Sequence, residues 1–132
     1  MSDHQLDLSA LQKAVQSLVR GIEQPKNEYT RDAVIQRFEY TFELCWKMIK
    51  RYLKVEAGID EFNIKNLFRL AAQHQLISDV EDWFRYHQAR NLTTHTYNER
   101  TADETYEIAK KFCPDAQQLL IQLENAIDSS TQ

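Results

Sequence analysis

Only two glycines and two prolines occur in the 132 residues of this chain. Average usage would place roughly nine glycines and seven prolines in a chain of this length. Because tight turns depend on these residue types, the composition argues against β-sandwiches, β-propellers, collagen-like repeats and flexible linkers. Glycine-rich phosphate loops are excluded, since Gly21 and Gly58 each stand alone. The scarcity of turn-forming residues therefore indicates a mostly helical protein.

Apolar residues recur every three or four positions through most of the chain, which is the spacing of one helical face. The predicted helices cover residues 6–24, 30–57, 63–75, 78–92 and 101–127. Short connections place successive helices antiparallel to one another. We therefore predict an all-α, up-and-down antiparallel bundle of about five helices, with residues 1–132 forming a single domain.

Several residues predict where these helices begin and end. Gly58 is placed to stop the second helix. The sequences SDVE at 78–81 and TADE at 101–104 resemble capping boxes, in which the first and last side chains bond each other's free amides. Pro114 is expected either to kink the last helix or to divide it.

Charge and cysteine content limit the possible environments and partners. The net charge of −4 argues against broad electrostatic binding to nucleic acid or to an anionic membrane, although it permits a local basic site. Cys45 and Cys113 lie in apolar helical patterns, so we expect two buried, reduced thiols. The first ten residues lack the features of a signal peptide, and no apolar run is long enough to span a bilayer. We expect a cytoplasmic protein with no metal, no cofactor and no membrane association.

The second predicted helix carries a further stripe of mostly charged residues beside its apolar face. This stripe consists of Asp32, Gln36, Glu39, Glu43 and Lys47. Such a stripe is usually solvated. It could instead meet a partner protein or a second copy of the chain, and the sequence leaves both interpretations open.

Residues 83–98, WFRYHQARNLTTHTYN, contain two arginines, two histidines and two tyrosines but no acid. In an acidic chain such a window is a candidate surface for an anion, and its aromatic rings could stack on bases. Arg85 and Tyr86 are therefore candidate RNA contacts. The alternative is that Trp83, Phe84 and His87 belong to the core while the arginines are merely solvated.

Arg90 and His95 could act together only if the helix ends between them. On a regular helix, residues five positions apart lie about 140° apart around the axis. The poor helix formers at 91–96 predict such an end. We expect His95 and Tyr97 to follow on an extended piece, with both side chains on one side.

These groups suit RNA cleavage that needs no metal ion. An imidazole can accept the proton of a ribose 2′-hydroxyl or donate one to the leaving oxygen. An arginine can hold the phosphate and offset its charge in the transition state. One such histidine per chain supplies only one acid–base group, so the chemistry would require a second copy of the chain.

The stretch RNLTTHTY at 90–97 resembles the motif of the HEPN family: arginine, a polar residue, three variable positions, histidine, one further residue and tyrosine. The segment TRDAVIQRFEYTFELCWK at 30–47 is similar to the nucleotidyltransferase-substrate-binding branch of that family. Together the two segments cover about a fifth of the chain.

The resemblance implies a helical bundle that forms a homodimer through the helices bearing the motif, with a composite cleft between the two copies. It implies an endoribonuclease toxin whose antitoxin is a small MNT-type nucleotidyltransferase. The family's catalytic arginine and histidine correspond to Arg90 and His95, with Asn91 as the supporting polar residue. Tyr97 corresponds to the tyrosine that the partner can modify with AMP, and the anionic adduct would exclude RNA from the site.

Two other classes of function remain open at this point. The chain could be a non-catalytic substrate-binding or accessory subunit of a nucleotidyltransferase, since an intact motif can persist in a protein that only binds. It could also be an interaction protein with no nucleotide role, although the acid-free window argues against this. His74 and His87 lack metal-ligand spacing to each other and to the cysteines, so a zinc site is not predicted.

Overall fold

The computed structural model describes residues 6–130. The helices are α1 (Ser9–Glu23), α2 (Glu28–Ala57), α3 (Ile64–Gln73), α4 (Val80–Asn91) and α5 (Glu99–Ser130). A short 3-10 turn, Thr93–His95, lies between α4 and α5. Residues 6–130 contain no strand, and the predicted all-α bundle is confirmed. Over the same residues, no helix has both the length and the apolar character needed to cross a membrane.

Helix α2 contributes a continuous buried face to the core. Its fully buried apolar residues follow the predicted spacing: Val34, Phe38, Phe42, Cys45, Ile49 and Leu53. Phe42 lies at the centre of an aromatic cluster, with ring centroids 5.9–6.3 Å from five neighbouring rings. Those rings belong to Phe38, Phe68, Trp83, His87 and Phe112. One side chain of α2 therefore contacts α3, α4 and α5.

Helix α1 packs closely against α2 at Gly21. A Cβ atom at this position would lie 3.2 Å from Val34 Cγ2 and 3.3 Å from Arg37 Cδ. Arg37 also donates a hydrogen bond of 2.7 Å from Nη1 to the carbonyl of Ser17 on α1. Glycine at position 21 therefore permits the close approach of the two helices.

The ends of α2 follow ordinary capping chemistry. Asn27 caps its start, accepting hydrogen bonds on Oδ1 from the backbone amides of Tyr29 and Thr30, so the helix begins two residues before the predicted start. Gly58 ends it in the left-handed conformation, with φ of 68°, and its amide donates to the carbonyl of Leu53. The predicted stop at Gly58 is confirmed, because glycine adopts this conformation without steric cost.

The two predicted capping boxes are wrong. Helix α4 is capped by Asp79, whose Oδ1 accepts from the amide of Glu81 at 2.9 Å and from that of Asp82 at 3.4 Å. A carboxylate one residue later thus replaces the Ser78 hydroxyl as the acceptor. Helix α5 is capped by Asn98, whose Oδ1 accepts from the amide of Thr101 at 3.1 Å. Thr101 therefore lies within the first turn.

Pro114 does not divide the last helix. Helix α5 runs continuously from Glu99 to Ser130 with the proline inside it. Buried residues on both sides of the proline, Phe112 and Ala116, keep both halves packed on the core. This packing outweighs the hydrogen bond that a proline cannot donate.

Both cysteines are free and buried, as predicted. Cys45 has no exposed surface, and Cys113 is almost fully covered. Burial raises the pKa of both thiols because it disfavours the charged thiolate. Both side chains therefore act as small apolar core residues.

A buried arginine joins the start of α2 to the start of α5. Arg31 is 5% exposed. Its Nη1 lies 2.7 Å from Glu99 Oε2 and 3.2 Å from Asp103 Oδ1, and its Nε lies 3.0 Å from Asp32 Oδ1. The pKa of the Arg31 guanidinium is raised, mainly by its hydrogen bond to Glu99. These contacts hold the chain where it leaves the segment between α4 and α5.

We expect Phe42→Ala to lower the free energy of unfolding by about 3–5 kcal/mol, because it opens a cavity where three helices meet α2. Urea denaturation followed by circular dichroism measures this change. Phe62→Ala is the matched control, since that side chain is 81% exposed. The control should change the stability by about 1 kcal/mol or less. Equal losses in the two variants would contradict the central role of Phe42.

Candidate functional site

The segment that follows Arg90 is a tight succession of turns. Helix α4 ends at Asn91, and a 3-10 turn then covers Thr93–His95. The amide of His95 donates to the carbonyl of Leu92, and Thr96 Oγ1 donates to the carbonyl of Thr93 at 3.0 Å. The predicted helix end between Arg90 and His95 is confirmed.

The Arg90 guanidinium is held by two carboxylates of α2. Its Nε donates to Glu43 Oε1 at 2.8 Å, and its Nη1 lies 3.6 Å from Glu39 Oε2. The Arg90 side chain is partly buried, with 27% of its surface exposed. No residue between 6 and 130 accepts a hydrogen bond from its Nη2, which leaves this group for a ligand oxygen.

The same two glutamates fix neighbouring side chains. Glu43 Oε2 accepts from Trp46 Nε1 at 2.9 Å, so both of its carboxylate oxygens are used. Glu39 Oε2 accepts from Thr93 Oγ1 at 3.1 Å, and the same hydroxyl lies 2.8 Å from the carbonyl of Arg90. The turn after α4 is thereby attached to α2 by side-chain hydrogen bonds.

These contacts correct two interpretations of the sequence. The window 83–98 has no acid in its own sequence, but the fold places Glu39 and Glu43 against it. The charged stripe of α2 is therefore not simply solvated, because two of its members bind the motif. Sequence reasoning gave these glutamates no role in the site. The sequence did contain a signal for them. The two glutamates are four residues apart, so they lie on one face of a helix that resembles the family's second helix.

His95 and Tyr97 lie together on the surface. Their ring centroids are 6.1 Å apart and the rings meet edge to face, at 70°. His95 is exposed, and 84% of the Tyr97 surface is exposed. The predicted extended conformation is wrong: His95 ends the 3-10 turn and Tyr97 follows in a further turn. The turn nevertheless brings the imidazole and the phenol into contact.

The polar partners of the Arg90 guanidinium within residues 6–130 are Glu39 and Glu43 and do not include His95. In the part of the chain that the structure describes, no hydrogen bond joins the Arg90 guanidinium to the imidazole or to the Tyr97 phenol. Asn91 is exposed at the last position of α4. The short segment therefore carries an anchored cation and, a few residues later, an exposed imidazole and phenol that a ligand could bridge.

Tyr86 is a core residue, and its predicted role as an RNA contact is wrong. Its side chain is fully buried, with ring centroids 5.5 Å from Trp83 and 5.2 Å from Phe112. Its hydroxyl donates to Asp115 Oδ2 and lies 3.4 Å from the carbonyl of Lys111. Burial, followed by the contact with Asp115, raises the pKa of the Tyr86 phenol. A ring enclosed in this way presents no face to a base.

Other aromatic side chains of α4 also pack inward. Trp83 is buried, and the half-buried His87 ring stacks on Phe42 at 6.1 Å. Burial lowers the pKa of the His87 imidazole because it disfavours the charged form. Arg85 is exposed but pairs with Asp82 at 2.7 Å. The alternative that placed Trp83, Phe84 and His87 in the core therefore holds for Trp83, with Phe84 and His87 partly buried against the core. Tyr86 belongs to the core as well.

Within residues 6–130, no three histidine, cysteine, aspartate or glutamate side chains are grouped closely enough to hold a metal ion. The chemistry that the described side chains themselves offer at this site is proton transfer by the His95 imidazole and phosphate binding by Arg90. Tyr97 adds an exposed hydroxyl beside the imidazole.

Comparison with known proteins gives consistent matches. The family described as nucleotidyltransferase substrate binding protein like matches residues 6–125. A Haemophilus influenzae protein named "Probable ribonuclease HepT" is 37% identical over 93 residues, which are 67% of this chain and 64% of that relative. The match thus spans less than two thirds of the relative's length.

Two solved structures share the fold. A crystal structure from Thermus thermophilus is 33% identical and has a TM-score of 0.80, covering 86% of this chain and 98% of the other. A Haemophilus influenzae structure, described as the fold of a substrate binding domain of a nucleotidyltransferase, is 30% identical with a TM-score of 0.81. It covers 89% of this chain and 99% of the other. The predicted membership of the nucleotidyltransferase-substrate-binding branch is confirmed. The chain belongs to the family described as nucleotidyltransferase substrate binding protein like.

Proposed function

We propose that this chain is an endoribonuclease toxin that cleaves RNA without a metal ion, and that an MNT-type nucleotidyltransferase is its antitoxin. The observation that carries the proposal is the placement of an exposed imidazole and phenol in the turn that follows an arginine held by Glu43. The relative named "Probable ribonuclease HepT" supports the same chemistry. Arg90 and His95 are the proposed catalytic residues, and Asn91 supports them at the end of α4.

The proposed reaction is a transesterification within the RNA backbone. His95 accepts the proton of a ribose 2′-hydroxyl, and the 2′-oxygen attacks the adjacent phosphorus. The bond from phosphorus to the 5′-oxygen breaks, and that oxygen receives a proton from a second imidazole. The products are a 2′,3′-cyclic phosphate and a 5′-hydroxyl. Arg90 Nη2 binds a phosphate oxygen and offsets its growing negative charge.

The second imidazole would come from a second copy of the chain. A groove of about 450 Å3 between α4 and α5 lies beside the motif, and it includes Ala89, Leu92 and Ile108. Leu92, directly after α4, is 47% exposed. Pairing of two copies through this groove would cover the leucine and bring two motif segments to one cleft. We therefore propose a homodimer with a composite site.

The proposed control acts through Tyr97. Its exposed hydroxyl can attack the α-phosphorus of ATP on the nucleotidyltransferase, with loss of a proton and departure of pyrophosphate. The resulting AMP ester places a negative charge and a bulky group against His95, because the two rings already touch. Such a group would exclude an RNA phosphate by repulsion and by volume.

We expect His95→Ala to reduce RNA cleavage by about 100-fold or more, because general acid–base catalysis by one side chain contributes about 10²–10⁴-fold. The assay is incubation of purified protein with RNA in excess chelator, with the termini of the products identified. His74→Ala is the matched control, since His74 is exposed at the end of α3. Cleavage that persists in His95→Ala, or that requires a divalent ion, would contradict the proposal.

We expect Glu43→Ala to lower kcat about 10- to 100-fold, because the Arg90 guanidinium loses the acceptor that orients it. Glu43→Gln should retain more activity than Glu43→Ala, since its one amide oxygen can still accept from Arg90 Nε although Trp46 Nε1 then loses its acceptor. Glu28→Ala removes an exposed carboxylate from the same helix and serves as the control. Equal activity of Glu43→Ala and Glu28→Ala would show that Glu43 has no positioning role.

We expect Tyr97→Phe to remain an active ribonuclease that the nucleotidyltransferase and ATP no longer inhibit, because the acceptor hydroxyl is absent. Intact-mass spectrometry should detect added AMP on the parent protein and none on this variant. Tyr29→Phe removes an equally exposed hydroxyl, at 81% exposure, and should behave like the parent. Modification of Tyr97→Phe would assign the acceptor to another residue.

A second candidate function is that of a non-catalytic subunit that binds the substrate of a nucleotidyltransferase. The description of the Haemophilus influenzae structure as a substrate binding domain supports it. The pairing of Arg90 with two glutamates also supports it, because a neutralised guanidinium binds phosphate less strongly. Absence of cleavage by both the parent and His95→Ala would favour this function.

A further inference from the structure

The C-terminal half of α2 forms one wall of an open groove of about 510 Å3. The other wall is the loop that connects α2 to α3. The lining residues are Trp46, Lys47, Met48, Lys50, Arg51, Lys54, Asp60 and Phe62. We refer to this surface as the α2 groove.

The α2 groove is strongly basic in a chain whose net charge is −4. Its lining contains four cations and a single carboxylate, Asp60, which pairs with Lys50 at 3.4 Å. Lys47, Arg51 and Lys54 are exposed and form no ion pair with any residue between 6 and 130. Their spacing of four and three residues places all three on one side of the helix. The groove therefore presents a row of uncompensated positive charges.

Two aromatic side chains lie among these cations. Phe62 is 81% exposed, and Lys50 Nζ lies 4.0 Å from the centroid of its ring. Lys50 also donates to the carbonyl of Glu61 at 2.8 Å, which holds the loop against α2. Trp46 is half-buried on the opposite wall, with Lys47 Nζ 5.9 Å from its ring. An exposed phenylalanine held among lysines is a surface on which a nucleic-acid base can stack.

The α2 groove is joined to the motif through one carboxylate. Glu43 accepts from Trp46 in the groove on one oxygen and from Arg90 on the other. Eleven residues of α2 separate Glu43 from Lys54, a rise of about 16 Å, which is the length of a few stacked nucleotides. A polyanion in the groove could therefore reach Arg90 without leaving the surface of the protein.

We propose that the α2 groove binds single-stranded RNA, with Lys47, Arg51 and Lys54 on successive phosphates and Phe62 stacked on a base, and that it directs the strand to Arg90. The direction toward Arg90 rests on the proposed ribonuclease function, whereas the binding itself does not. An acidic protein surface is the competing occupant. RNA is favoured because the groove combines a row of cations with an exposed ring and leads to a free guanidinium nitrogen.

The test uses a fluorescein-labelled single-stranded oligonucleotide of about twelve nucleotides with 2′-O-methyl riboses, which lacks the attacking hydroxyl. Binding to the full chain is measured by fluorescence anisotropy at several salt concentrations. The charge variant is the triple Lys47→Gln, Arg51→Gln, Lys54→Gln. Its control is the triple Lys13→Gln, Arg20→Gln, Lys110→Gln, which removes the same charge from exposed sites outside the groove. Phe62→Ala is compared with Tyr29→Ala, where the exposed fraction is the same.

We expect the groove triple to bind at least tenfold more weakly, with a salt slope smaller by about 2, since each phosphate contact contributes about 0.7 to the slope. Phe62→Ala should bind about tenfold more weakly through loss of stacking. Both controls should bind like the parent. Equal weakening by the two triples, or no binding by the parent, would overturn the proposal.

The remaining outcomes separate this proposal from others. If the groove triple binds the oligonucleotide normally but no longer copurifies with the nucleotidyltransferase, the groove binds protein and the proposal fails. If binding depends on the groove but the parent cleaves no RNA, the groove proposal stands and the ribonuclease proposal fails. Circular dichroism of each triple shows whether the fold is retained.

Discussion

The packing of Phe42 against rings of three other helices is the interaction on which the structure depends. Because α2 buries one continuous apolar face, its rotation about its own axis is determined by the core. That rotation decides which residues α2 presents to the rest of the molecule. Glu39 and Glu43 lie on the side that faces the end of α4, and the basic residues after Trp46 follow on the exposed continuation of the helix. The core thus orients the polar chemistry.

Helix α2 also holds the motif segment from both ends. At one end Glu43 and Glu39 bind Arg90 and Thr93. At the other end the buried Arg31 binds Glu99 and Asp103 near the start of α5. Surface ion pairs contribute little by themselves, but these contacts connect a short turn to a packed helix at two points. The turn that carries His95 and Tyr97 is therefore defined although both side chains are exposed.

Local charge matters more than net charge in this molecule. At physiological ionic strength the field of an exposed charge is largely screened beyond about 8 Å. The four cations of the α2 groove therefore make this surface locally basic despite the acidic character of the whole chain. By the same reasoning, the glutamates that contact Arg90 affect that residue far more than distant acids do. The absence of acids from residues 83–98 is a property of the linear sequence alone, because the fold supplies carboxylates from another helix.

The sequence by itself determined the helices, the buried face of α2 and the stop at Gly58, because these follow from local periodicity and from backbone conformations that one residue type prefers. It also indicated the helix end between Arg90 and His95, where poor helix formers cluster.

The sequence could not show that Tyr86 lies in the core and Tyr97 on the surface, since both belong to the same aromatic, acid-free stretch. Nor could it show that Asp79 and Asn98 cap α4 and α5, because neighbouring side chains competed for the same amides. Only the tertiary structure brought Glu39 and Glu43 to a motif some fifty residues away in the chain and placed Lys50 of α2 beside Phe62. Contacts of this kind depend on how whole helices are rotated and packed, and that is decided by the core as a unit.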